Sequence, residues 1–136
     1  MLNRKIDEFI ERHYASNNSA LLLKGARQVG KTYAMRGYAK KHEMNLIEIN
    51  FYEDESARNL FSGAQSAKDV LLRISAHTKK KVSLPNTIIF FDEVQKCPEV
   101  ITWIKFLVDE GSCKYALSGR QFQLQSLMPF LSHHTH

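Results

Sequence analysis

Gly25-Ala26-Arg27-Gln28-Val29-Gly30-Lys31-Thr32 fits the spacing G-x-x-x-x-G-K-[ST], the P-loop or Walker A pattern. No other stretch narrows the possible folds of this chain as far. Two of the four fixed positions are glycine, at about 7% general usage, so chance alone would produce the pattern in a chain this short well under about 1% of the time. The flanks agree with it. Ala20-Leu21-Leu22-Leu23-Lys24 is a short apolar run of the kind a buried parallel strand needs. Lys31 to Lys41 puts Ala34, Met35, Tyr38 and Ala39 on one face of a predicted helix. Strand, glycine-bearing loop and helix together aim backbone N–H groups and a helix N-terminus at a phosphate chain. All eight residues from Gly25 to Thr32 are therefore candidate nucleotide contacts.

The rest of the chain alternates between the two periodicities. Leu2, Ile6, Phe9, Ile10 and His13 recur at helical spacing up to Tyr14, and Ser16-Asn17-Asn18-Ser19 breaks that pattern. Asn45 to Phe51 alternates apolar and polar residues as a strand does. Tyr52 to Gly63 reads as a loop with a short helical piece. Ser66-Ala67-Lys68-Asp69 resembles a capping box ahead of Val70, Leu71, Leu72 and Ile74, which predicts a helix to about His77. Thr87-Ile88-Ile89-Phe90-Phe91 is β-branched and aromatic on both faces, and so predicts a strand in the middle of a sheet. Pro98 suits a helix start, Val100, Ile101, Ile104, Leu107 and Val108 form a stripe, and Gly111 suits its C-terminal cap. Cys113 to Leu117 is a fourth strand. Strands alternating with helices predict an α/β fold with a parallel sheet.

The central strand ends in Phe90-Phe91-Asp92-Glu93, an apolar run closed by two acids, which is the form of a Walker B strand. The chemistry accounts for the pair. The Thr32 hydroxyl and Asp92 are expected to hold one Mg²⁺ ion, both being hard oxygen donors. Asp92 would lie beyond the carboxyl end of a strand, where open α/β sheets bind their ligands. Glu93 is placed to orient and deprotonate an attacking water. Lys31 is expected to reach the β- and γ-phosphates as a point charge.

Composition excludes several alternatives. With 136 residues, 43% of them hydrophobic and 24% charged, the chain reads as one ordinary globular domain. No run approaches the roughly 18 apolar residues of a membrane span. The first residues carry acids and no apolar stretch, so no signal peptide is expected and a cytoplasmic location is. Cys97 and Cys113 lack metal-site spacing and are expected to be reduced and partly buried. The net charge of +5 and the single cluster Lys79-Lys80-Lys81 predict a solvated loop and leave a nucleic-acid partner unsupported. His133, His134 and His136 stand at the chain end and are not assigned a metal.

The chain resembles an AAA-type P-loop ATPase. More narrowly, it is similar to the large bacterial and archaeal family of predicted ATPases whose full-length members carry a further C-terminal domain. The resemblance rests on residues 25 to 32, on Glu48-Ile49-Asn50-Phe51, on Phe91-Asp92-Glu93-Val94-Gln95-Lys96-Cys97-Pro98 and on Leu117-Ser118-Gly119, within a match over residues 2 to 120. It implies a three-layer P-loop NTPase sandwich with a parallel sheet ordered 5-1-4-3-2. It implies ATP as the nucleotide, and it puts Ser118 in the sensor position, touching the γ-phosphate or the attacking water.

Two features depart from the family. Arg120 stands where the family has a small polar residue, and the family continues through a fifth strand, a completing arginine and the extra domain. On this reading residues 1 to 120 are a truncated ATPase core. Residues 121 to 136 are an atypical tail expected to be poorly ordered, the fifth strand is expected to be missing, and the first strand is left as an exposed apolar edge.

The leading expectation is Mg²⁺-dependent ATP hydrolysis that drives a conformational change in an attached or partner module. That module would be an unknown protein or the missing C-terminal domain, with oligomer formation left open and no membrane partner. A small-molecule kinase and a non-hydrolysing nucleotide-binding or interaction module are the alternatives. Glu93 beside Asp92 argues for water as the acceptor.

Overall fold

Alternation along each strand decides how the layers assemble. The computed structural model describes residues 4–16, 19–23, 28–119 and 131–134. Five parallel strands form one sheet: β1 (Ala20–Leu23), β2 (Asn45–Asn50), β3 (Thr87–Asp92), β4 (Lys114–Ser118) and β5 (Leu131–His134), in the order β2-β3-β4-β1-β5. Every residue of β1 and of β3 is buried, as the apolar runs predicted. Leu21, Leu23, Ile88, Phe90 and Ala116 point to one face, where they pack with Ile6, Ile10 and Tyr14 of α1 (Arg4–Ser16) and Ala34 and Met35 of α2 (Gln28–Lys41). Their neighbours Ala20, Leu22, Ile89, Phe91, Tyr115 and Leu117 point to the other face. There they meet Val70, Leu71 and Ile74 of α3 (Ala67–Thr78) and Val100, Ile104 and Leu107 of α4 (Glu99–Glu110). The result is the expected three-layer sandwich, with the expected strand order.

Phe91 anchors the second of these cores. Its ring stacks on Phe51 at 5.9 Å and on Tyr115 at 6.2 Å, the latter within 6° of parallel. This aromatic row runs from the residue that follows β2 across β3 to β4 and fixes the strand that ends in Asp92. On the opposite face the Tyr14 hydroxyl donates to the Tyr115 carbonyl at 2.6 Å and ties α1 to β4.

Helix ends follow their caps. Ser66 Oγ accepts the Asp69 N–H at 3.1 Å. Asp69 returns a bond to the Gln65 N–H at 3.0 Å, one residue earlier than a capping box would. Gly111, at φ 87°, closes α4 in the left-handed conformation that glycine adopts without strain. The thiols are free: Cys97 is buried and Cys113 half-buried. Burial, with the Glu99 charge beside it, pushes the Cys97 thiol up to about 12.

Two expectations are corrected. Helix α2 begins at Gln28, three residues before the Lys31 start inferred from sequence, because the second half of the glycine loop is already the first helical turn. The fifth strand is not missing. Leu131–His134 pairs with all of β1, from Ala20↔Leu131 to Leu23↔His134, so the outer edge of β1 is covered. Ser132, His133 and His134 carry weak strand signals. What recruits the segment is the open hydrogen-bonding edge of a fully buried strand, and pairing at such an edge overrides propensity. Residues 121–130 and Arg120 lie outside the described residues. Among the described residues no helix is long and apolar enough to cross a membrane.

Candidate functional site

Because all the strands run parallel, their carboxyl ends share one rim of the sheet. Asn50 ends β2, Asp92 ends β3, Ser118 ends β4 and Leu23 ends β1, and register pairs Asn50 with Asp92 and Leu23 with Ser118. The glycine loop leaves β1 at this rim. Lys24, Gly25, Ala26 and Arg27 lie outside the described residues. Gln28, Val29, Gly30, Lys31 and Thr32 open α2, whose first-turn N–H groups have no acceptor within the helix and make its start a positive pole.

Lys31 is only 3% exposed, which is unusual for a lysine. Burial pulls its pKa below the ordinary lysine range, and the charges of Asp92 and Glu93 act against that pull. The fold therefore brings Lys31 together with the two acids predicted to work beside it. Asp92 is itself 4% exposed and its Oδ1 accepts the Glu93 N–H at 2.9 Å. Thr32 and Asp92 line the same cavity of about 280 Å³, so the two expected metal donors do converge. A hydroxyl and a carboxylate at one opening suit Mg²⁺, a hard cation that takes oxygen ligands.

Glu93 sits at φ 58°, ψ 47°, the left-handed region that few residues other than glycine occupy. Such a conformation costs about 1–3 kcal/mol and persists only where its surroundings impose it. Here the Phe51 N–H holds the Asp92 carbonyl at 3.0 Å, the Lys96 N–H holds the Glu93 carbonyl at 3.0 Å, and Gln95 Nε2 donates to Glu93 Oε1. The bend takes the chain out of the sheet and into the 3-10 turn Val94–Lys96.

Ser118 is fully buried, and its Oγ has no hydrogen-bond partner among the described residues. A buried hydroxyl left unsatisfied costs about 1–3 kcal/mol, and this one stands at the end of β4, paired in register with the last residue of β1. Gly119, next in the chain, has a steric reason to be glycine. A Cβ there would come within 2.7 Å of Gln95 Oε1, 2.9 Å of Val94 Cγ2 and 3.0 Å of the Val94 backbone nitrogen.

Sequence reasoning gave no role to the other wall of the cavity. Arg36 and Glu48 form a two-point ion pair there at 2.7 and 2.9 Å. Asn50 Oδ1 accepts the N–H groups of Tyr52 and Glu53 at 2.9 and 3.1 Å, turning Glu53 into the cavity wall. The signal was present in β2: Ile47 and Ile49 face the α3/α4 core, so Glu48 and Asn50 must face the α2 side.

Two comparisons bear on this arrangement. A family model described as an AAA domain matches residues 17–129, a span that holds the glycine loop, both acids and Ser118. No curated protein matches the chain.

Proposed function

The chain belongs to the AAA domain family, which carries a nucleotide-binding, ATPase-type function, and from that premise we propose that it binds ATP with Mg²⁺ and hydrolyses it, using the cycle to move an attached or partner module. The observation that carries this reading is the buried Lys31 at the start of α2 beside Asp92 and Glu93.

Each residue then has a distinct task. The backbone N–H groups from Gly25 to Thr32 cradle the phosphates, and Lys31 places its ammonium against the β- and γ-phosphate oxygens. The Thr32 hydroxyl and Asp92 would hold Mg²⁺, which when bound would supply positive charge against the phosphate oxygens. Glu93 takes the proton of the water whose oxygen attacks the γ-phosphorus, while the bond to the β-phosphate oxygen breaks. Ser118 offers its hydroxyl to a γ-phosphate oxygen or to that water. A cytoplasmic setting fits the two free thiols.

Nucleotide titration and phosphate release, measured on the parent chain and on Lys31→Ala, test the proposal. Mg²⁺-dependent binding and turnover in the parent, both lost in the variant, are expected. Equal affinity in the two proteins would remove the loop as the phosphate site.

A further inference from the structure

We propose that Gln95 is a positioning residue for Glu93, seated so that a contact made at Ser118 reaches the Glu93 carboxylate through it. The inference rests on the hydrolytic reading above and adds to it a residue with no assigned role.

Four observations form a continuous path. The Ser118 Oγ is buried with no hydrogen-bond partner among the described residues. Gly119 follows it and lies so close to the 94–95 turn that even a methyl group would meet Gln95 Oε1 at 2.7 Å and the Val94 nitrogen at 3.0 Å. The Gln95 amide, at the other end of this contact, donates through Nε2 to Glu93 Oε1. Glu93 itself is bent into the left-handed region, where its direction depends on what holds it.

Gln95 occupies one carboxylate oxygen and so leaves Oε2 to receive the water's proton. Its amide is fixed to a turn whose backbone is closed by the Lys96 N–H to Glu93 carbonyl bond at 3.0 Å and the Cys97 N–H to Val94 carbonyl bond at 2.9 Å. Gly119 lies close against this turn, with Gln95 Oε1, Val94 Cγ2 and the Val94 backbone nitrogen as its nearest neighbours. When a ligand oxygen engages Ser118, a small shift at the end of β4 therefore presses on Gln95 and is passed to Glu93. General-base efficiency depends on that placement, and a misplacement of about 1 Å costs roughly 10²-fold.

Two measurements test this. Gln95→Met keeps the length and removes the donor. It is expected to lower kcat roughly ten- to hundred-fold while the Kd for Mg·ATP stays within about three-fold, less than the 1.4 kcal/mol that separates affinities by ten. Combined with Gly119→Ala, whose methyl group meets Gln95 Oε1 as well as Val94, it should lose less than the sum of the two single variants, because part of the Gly119→Ala effect passes through the Gln95 side chain. Full additivity in that cycle overturns the path.

The second readout needs no turnover. The Gln95 side-chain amide resonances should move when Mg²⁺ and a non-hydrolysable ATP analogue are added to saturation, and should not move with Mg²⁺ and ADP. Ser118→Ala should abolish that difference. Equal shifts with both nucleotides, or a difference that survives Ser118→Ala, overturn the proposal. Failure of the underlying reading looks different: the parent then binds no nucleotide, or Glu93→Gln hydrolyses ATP at the parent rate. If Glu93→Gln is inactive but Gln95→Met turns over normally, only the role of Gln95 falls.

Discussion

Leu23 and Ser118 are the last paired residues of β1 and β4. This register fixes where the glycine loop leaves the sheet: directly beside a buried hydroxyl that lacks a partner among the described residues. A one-residue slip would turn Ser118 to the opposite face and put Leu117 toward α2, the helix that opens at Gln28 and carries Lys31 in its first turn. The geometry of the rim is thus set by the core, and several consequences can be measured.

Lys31→Ala should weaken Mg·ATP binding by an order of magnitude or more, since charge-assisted contacts are about twice as strong as neutral ones. The fold should survive, because the substitution removes a buried cation and leaves no large cavity in either apolar core. Isothermal titration beside a thermal melt separates the two effects.

Glu93→Gln should keep nucleotide affinity and lower turnover by roughly 10²–10⁴-fold, the worth of a general base. The amide is nearly isosteric but cannot take the water's proton. Phosphate release at the parent rate would exclude Glu93 as the base.

Phe91→Ala should destabilise the protein by about 3–5 kcal/mol, the usual cost of deleting a buried ring. It empties the middle of the Phe51–Phe91–Tyr115 row. The neighbouring Asp92 should lose position as well, so residual folded protein should bind Mg·ATP less well than the parent. Chemical denaturation and titration of the same sample provide both numbers.

His13 sets a pH dependence. It is buried near the end of α1, with Nε2 2.6 Å from the Ser19 carbonyl. Burial lowers its pKa below the ordinary histidine value of 6.5; the Ser19 carbonyl opposes that shift, and the Lys114 charge adds to it. The unfolded chain therefore takes up this proton first as pH falls. Stability attributable to His13 is fullest above about 6.5 and declines as pH drops through that value, levelling once the folded form is protonated too. His13→Gln should flatten the decline relative to the parent in denaturation curves between about pH 5 and 7.5.

Much of this arrangement was legible in the chain. The apolar runs at Ala20–Leu23 and Thr87–Asp92 became buried strands, and the convergence of Thr32 with Asp92 followed from strand ends sharing one rim. What escaped sequence reasoning depends on distant partners. Leu131–His134 becomes a strand because β1 offers an edge, which its own residues do not announce. The left-handed turn at Glu93 carries no local mark either, since glutamate seldom adopts it; bonds from Phe51, Gln95 and Lys96 impose it. The need for glycine at 119 appears only when the 94–95 turn lies against it.

The bend at Glu93 also sets this position against heat resistance. Glycine or asparagine accepts a left-handed backbone with less strain, so either substitution relieves part of a cost of about 1–3 kcal/mol and removes the proposed base in the same step. A library selected only for higher melting temperature will therefore enrich, at residue 93, for proteins that have stopped turning over.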